Sequence, residues 1–168
     1  KRQQRDSSMI PFEIREAIVG DHARILDAMV DWWGGRDLRA SIPQVMLIHF
    51  CNTSFVAEAD GELAGFLIGF FSQTEPDTGY IHFAGVHPDF RNRGIGRTLY
   101  GHFYDRCSAA GRKTVKSCTA PINRLSISFH QSLGFTIEEG DAVIDGVEVS
   151  TTHMGPKDPL VLFVKKLD

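Results

Sequence analysis

No stretch of this chain is apolar for the length of a membrane span, and no pattern of basic start, apolar run and small residues opens it, so neither a span nor a secretory leader is expected. Cysteine is scarce. Cys51, Cys107 and Cys118 are an odd set without close spacing, which argues against a disulfide framework and suits free thiols in a reducing compartment, the cytoplasm. His-Glu-x-x-His and Cys-x-x-Cys are both missing, so the seven histidines predict no metal site. A large charge excess is missing too: the formal net charge is -3 and no basic stripe runs along the chain, which argues against a protein whose main work is neutralising nucleic-acid phosphates. The one basic cluster, Lys1 to Arg5, is followed by Asp6, Ser7 and Ser8 and reads as a loose tail over residues 1–9.

What is present is an ordinary globular composition, 42% hydrophobic and 23% charged over 168 residues, enough to bury one core without staples. One domain over 10–168 follows. Phe12 to Ile18 alternates like a strand, and Asp21 is placed to cap a helix carrying Ile25, Leu26, Met29 and Val30. The pattern breaks at Trp32 to Gly35, and a second short helix is expected from Pro43 to about Phe50. Asp60-Gly61 between Phe55–Ala59 and Leu63–Phe71 predicts a tight hairpin, and a third strand runs from Tyr80 to Val86, stopped by His87-Pro88. A helix is expected over Arg93 to Ala110, a strand at Thr114 to Thr119, and a helix capped by Asn123 with Leu125, Phe129 and Leu133 on one stripe. Extended segments at Phe135–Ile137 and Leu160–Val164 close the order, with Asp141 to Pro159 read as a loop. The class is α/β: a mixed sheet with helices on both faces.

The stretch from Val86 to Thr98 sets a glycine-bearing turn between a strand and the first turn of a long helix. The opening N–H groups of a helix lack internal acceptors, its dipole adds partial positive charge, and glycine lets an anion approach the backbone. Arg91, Arg93 and Arg97 add formal charge. Neither the P-loop nor the dinucleotide fingerprint spacing is matched, and tight packing alone is the competing reading of a Gly-x-Gly helix start.

Arg91-x-x-Gly94-x-Gly96, preceded by Val86-x-Pro88 and followed by Asn123-x-x-Ser126-x-x-Phe129-His130 and Leu133-Gly134-Phe135, resembles the GNAT family of N-acetyltransferases over roughly Phe12 to Lys165. The resemblance implies a mostly antiparallel twisted sheet of six to seven strands, splayed between the fourth and fifth and flanked by about four helices. It implies acetyl-CoA as co-substrate. Main-chain N–H groups of Arg93, Gly94, Ile95, Gly96, Arg97 and Thr98, beside Arg91, would wrap its pyrophosphate. Ala84, Gly85 and Val86 would pair with the pantetheine arm, with Asn123 and Ser126 on the other side.

Acetyl transfer to an amine needs a neutral nucleophile, a stabilised oxyanion and a protonated leaving sulfur. The resemblance puts the oxyanion on a backbone N–H at Gly85 or Val86, a donor commonly worth roughly 3 kcal/mol. The family's usual tyrosine after the helix phenylalanine is His130 here, so His130 is the candidate acid. Asn123, Ser126 and His130 are spaced to look from one helix face toward the thiol. A histidine that only holds a hydrogen bond is the competing reading. The family's usual strand glutamate is also missing, with Cys118 at one such position. His82, where the arylalkylamine branch carries a histidine, is the candidate base, with Tyr80 orienting water or substrate. Period two would put Tyr80, His82, Ala84 and Val86 on one face. A His82 satisfied by a core partner is the alternative, and an ordinary strand thiol explains Cys118 better than an acyl-enzyme.

Acceptor selection is expected from Trp32 to Arg39 and from Asp141 to Pro159. Asp31 or Asp37 could hold an ammonium, and core packing is favoured for the two tryptophans. The expected partners are a primary amine, small molecule or peptide, and at most a second copy of the chain. No nucleic acid or membrane is expected. A non-catalytic acetyl-CoA sensor is the alternative function.

Overall fold

The computed structural model describes residues 11–33 and 37–168, so the tail expected at 1–9 and the break at Gly34-Gly35 lie outside the described residues. Strands β1 (Glu13–Glu16), β2 (Phe55–Ala59), β3 (Glu62–Phe71), β4 (Thr78–Val86), β5 (Thr114–Thr119), β6 (Thr136–Ile137) and β9 (Val161–Lys166) form one sheet in the order β1-β2-β3-β4-β5-β9-β6. Helices α1 (Asp21–Trp32) and α2 (Val45–His49) cover one face, and α3 (Ile95–Ala109) and α4 (Arg124–Ser132) the other. β4 and β5 are parallel and the other pairs antiparallel, as a crossover through α3 requires. Among the described residues no helix is long and apolar enough to cross a membrane.

Asp60 and Gly61 take φ of 52° and 76°, the left-handed pair a two-residue hairpin needs. Asp145 and Gly146 do the same at 49° and 78°, closing a hairpin of β7 (Ala142–Ile144) and β8 (Val147–Val149) inside the segment expected to be a loop. The identical Asp-Gly signal was there to be read.

Two other expectations are corrected. Asp21 opens α1 but does not cap it in the usual manner: its buried carboxylate accepts from both Arg15 Nη atoms at 2.8 Å and from the Ile18 N–H at 2.8 Å. Burial works to raise its pKa, and the Arg15 and Ile18 bonds outweigh it, holding the group below the usual carboxylate range. On α4 the inward residues are Ile127, His130 and Leu133, while Leu125 is 78% exposed. A stripe through Leu125 would have turned the helix away from Phe163.

Candidate functional site

β4 and β5 pair at Thr78–Thr114, Gly79–Val115 and Tyr80–Lys116, and there the backbone ladder stops. The Ser117 hydroxyl donates to the Ile81 carbonyl at 3.1 Å, closing the apex of a fork. Past it β4 continues on β3 alone and β5 on β9 alone, so one edge of each strand lies open. The His87 N–H donates to the Ala64 carbonyl at 2.9 Å, so by strand alternation Gly85 also faces β3, and the N–H groups of Ala84 and Val86 face the fork. Of the two expected oxyanion donors, Gly85 is turned to β3, and Val86 faces the fork at its turn end.

The fork runs out into the turn before α3. Gly94 caps the helix at φ 84°, a left-handed conformation that favours glycine, and the place its Cβ would occupy has no neighbour within 4 Å. Among the described residues no N–H from Asn92 to Arg97 donates to a main-chain carbonyl. Thr98 departs from the expected wrap: its N–H and its hydroxyl both donate to the Gly94 carbonyl at 2.9 Å, locking the first helical turn. Gly96 lies against α4, where a Cβ would sit 3.0 Å from Phe129 Cζ.

Arg91 is a clamp as well as a charge, donating through Nε to the Val86 carbonyl and through Nη2 to the Trp32 carbonyl, both at 3.2 Å. The Arg93 guanidinium lies over the Phe90 ring at 5.5 Å, and Arg97 Nη2 reaches the Ser132 carbonyl at 3.5 Å. Ile95 buries its side chain and offers the turn only its N–H. Across the fork Asn123 Oδ1 accepts from the Ser126 N–H at 3.2 Å, capping α4 as expected and leaving its amide NH2 to donate. An open strand edge leading into unpaired N–H groups suits an extended amide-bearing chain that ends in a diphosphate.

At the apex β4 is bulged: Ile68 faces Phe83 and Gly69 faces Ile81, leaving His82 as the extra residue. The bulge breaks the expected common face. Tyr80 stacks on Phe70 at 5.3 Å and His82 reaches Ser41 between α1 and α2, while Ala84 and Val86 pack on the α3 side. His82 Nε2 meets the Ser41 carbonyl at 2.7 Å and must donate to it, so the neutral ring keeps its lone pair on Nδ1. Tyr80 leans across the fork, its hydroxyl 3.3 Å from Cys118 Sγ and 3.0 Å from Nε2 of His153. Burial, then the neighbouring Cys118, pushes the Tyr80 phenol well above the usual range, so it stays protonated. Burial also raises the Cys118 thiol, against a nucleophilic role.

His130 does not look toward the fork. It is 4% exposed and stacked on Phe163 with ring centroids 4.2 Å apart. Nδ1–H donates to the Ser126 carbonyl at 2.7 Å, so the neutral Nε2 accepts from the Tyr100 hydroxyl at 3.0 Å. Asn123 is the non-helical cap of α4, with ψ of 72°, so helical spacing does not carry its direction on to His130, and desolvation, only partly offset by the Ser126 bond, lowers the His130 pKa. Both nitrogens are spent inside the core. His130→Ala is therefore expected to destabilise the fold by about 3 kcal/mol, seen as a lower denaturant midpoint at unchanged m. A buried neutral imidazole contributes stability that is full above its unfolded value of roughly 6.5 and is lost as pH falls toward its lowered folded value. The variant should lose that acid-side dependence; an unchanged slope of stability between about pH 6.5 and 5 would contradict the burial argument.

Beside the apex of the fork, a cleft of about 240 Å³ is lined by Phe70, Glu75, Tyr80, Lys116, Glu138 and His153, among others. Lys116 Nζ binds Glu75 at 3.0 Å and lies 3.9 Å from Glu138. Trp32 and Trp33 pack on Phe66 as core residues, and Asp37 is held to about 2 by its bonds to Arg39, so it is not a free carboxylate for an ammonium. His153, in the segment before β9, was not singled out from the sequence, because a histidine in a polar loop carries no local signal.

Comparison with known proteins bears on these features together. A family model described as the acetyltransferase (GNAT) family matches residues 23–135. The L-2,4-diaminobutyric acid acetyltransferase of Nocardia farcinica is 35% identical over 79 residues, 47% of this chain and 41% of that protein. An uncharacterized N-acetyltransferase of Methanocaldococcus jannaschii is 34% identical over 89 residues, 51% of this chain and 39% of its own. The matched stretch thus spans about two fifths of these relatives. Among solved structures, Ard1 from Thermoplasma volcanium superimposes with TM-score 0.74 at 17% identity, covering 94% of this chain and 98% of that one. The diaminobutyrate acetyltransferase of Paenibacillus lautus, solved with L-2,4-diaminobutyric acid and coenzyme A, gives 0.66 at 19% identity, covering 92% and 94%. The mostly antiparallel sheet and the helices flanking it are as expected and are shared with these folds.

Proposed function

The chain belongs to the GNAT acetyltransferase family, and from that premise we propose that it transfers the acetyl group of acetyl-CoA to a primary amine, with both substrates bound at once. The observation that carries this reading is the β4–β5 fork running into a glycine-capped turn whose N–H groups are unpaired. The N–H groups of Arg93 to Arg97 hold the pyrophosphate, the Ala84 and Val86 edge pairs with the pantetheine amides, and Asn123 donates from the opposite wall. When bound, acetyl-CoA supplies an activated acetyl group as a thioester, passed to the amine with release of the thiol.

In this reading His82 Nδ1 takes the proton the amine sheds, because its tautomer is set by the Ser41 carbonyl. Tyr80 Oη, rather than His130, hands a proton to the released sulfur and regains one from solvent at the cleft mouth. Its hydroxyl leans over the fork while His130 faces the core. The Ala84 N–H, which faces the fork nearer the apex than Val86 does, stands where the carbonyl oxygen gains charge, and Val86 stays on the arm. Acceptors of small-molecule and peptide type both fit the cleft's mixed lining, and the free thiols fit a cytoplasmic setting.

The test is thiol release from acetyl-CoA over a panel of amines that includes L-2,4-diaminobutyrate, together with thermal shift by CoA. Turnover on at least one amine, with CoA raising the melting temperature, is expected. Stabilisation without turnover on any amine would favour the sensor, and absence of stabilisation would remove the CoA site itself.

A further inference from the structure

Resting on the proposed acetyl transfer, we propose that His153 is a positioning residue: by donating from Nε2 to Tyr80 Oη, it turns the single phenolic hydrogen of Tyr80 into the fork. Tyr80 Oη owns one hydrogen and two groups flank it, His153 Nε2 at 3.0 Å and Cys118 Sγ at 3.3 Å. If Nε2 accepted, that hydrogen would be spent on the loop and the fork would see only lone pairs. With Nε2 as donor, the hydroxyl becomes a directed donor on the side where β4 and β5 part, with Cys118 Sγ as its acceptor there.

The surroundings fix this pair. Phe70, Tyr80 and His153 stack as a column, with centroids 5.3 Å and then 6.1 Å apart and planes within 26° and 22°, so the Tyr80 ring is held on both sides. The segment carrying His153 is anchored just before it: Thr151 N–H and Oγ1–H donate to the two Asp141 oxygens at 2.8 and 2.5 Å, and Thr152 N–H donates to Ser150 Oγ at 3.3 Å. Ser150 is itself bridged to Leu160, at the entry to β9. The charged groups of the same cleft, Lys116, Glu75 and Glu138, are engaged with one another, and among the described residues none of them bonds Tyr80 Oη. His153 is exposed and packs no core, so its replacement leaves the fold in place.

The experiment compares His153→Ala and His153→Gln on an acceptor turned over by the wild type. Alanine should lower kcat about tenfold with the KM for acetyl-CoA unchanged, the loss of one oriented hydrogen bond. Glutamine, whose side-chain N–H can donate to Tyr80 Oη, should restore most of the rate. An alanine variant with wild-type kcat, or a glutamine variant no better than alanine, would overturn the proposal. A second measurement needs no turnover: the ring 15N resonance of His153 Nε2 should move in Tyr80→Phe, and an unmoved resonance overturns it too. If the wild type releases no thiol with any amine, it is the acetyl-transfer reading that fails, and the resonance still decides the contact.

Discussion

His82→Ala is expected to lower kcat by about 10²–10³-fold while leaving the KM for acetyl-CoA near its wild-type value. The reason is local. His82 occupies the bulge of β4 at the apex of the fork, and the Ser41 carbonyl at 2.7 Å claims its Nε2 proton, so only Nδ1 can accept. A base that works in the transition state and not in cofactor binding shows as kcat rather than KM. His82→Gln separates the two things this ring does: its amide can still donate to Ser41 but offers no basic nitrogen. Glutamine should be as slow as alanine, with the stability of the wild type. A glutamine variant at the wild-type rate would reduce His82 to a strut between β4 and the Arg39–Ser41 turn.

The second large effect is expected at Gly96. Valine there drives a branched side chain at Phe129 Cζ, 3.0 Å from the position of a Cβ, and at Val86 Cγ2, 3.5 Å away, between the end of β4 and α4. α4 must shift outward or the fork must narrow, and either change misplaces the N–H groups of the turn. Acetyl-CoA should bind about 100-fold more weakly, roughly 2.7 kcal/mol, with a smaller loss of folding stability from overpacking. Gly94→Ala is the contrast: its Cβ meets nothing within 4 Å, but φ of 84° makes any side chain strained there, so stability should fall by roughly 1–2 kcal/mol more than affinity does. Calorimetric titration with CoA and denaturant unfolding distinguish the two glycines. Wild-type CoA affinity in Gly96→Val would refute the close-packing argument.

The parts of this molecule that follow from short-range chemistry were legible before the structure. Asp60-Gly61 marked its hairpin, Asn123 its cap, and Gly94 the left-handed start of α3, because each depends on residues a few positions apart. What failed depends on long-range choices. Strict alternation put Tyr80, His82, Ala84 and Val86 on one face, and one extra residue at His82, set by how β3 pairs across from it, undid that. Helical spacing aligned Asn123, Ser126 and His130, but which edge of α4 is pulled inward is decided by Phe163 on a distant strand and by Tyr100 on α3. Asp145-Gly146 differs from these. It was readable by the rule already applied at Asp60-Gly61, and the loop-like composition around it masked it. His153 lay beyond local reasoning, since its partner is 73 residues away in the chain.

The three residue pairs that join β4 to β5 also make the sheet mechanically unequal along its width. On one side stand four strands knitted by antiparallel ladders, on the other three, and between them a short seam reinforced by the Ser117 hydroxyl and bridged by α3 behind it. Past this seam the two halves exchange no ladder hydrogen bonds. A ligand that fills the fork with amide groups would act as a rivet there, supplying hydrogen bonds that the two halves do not give each other.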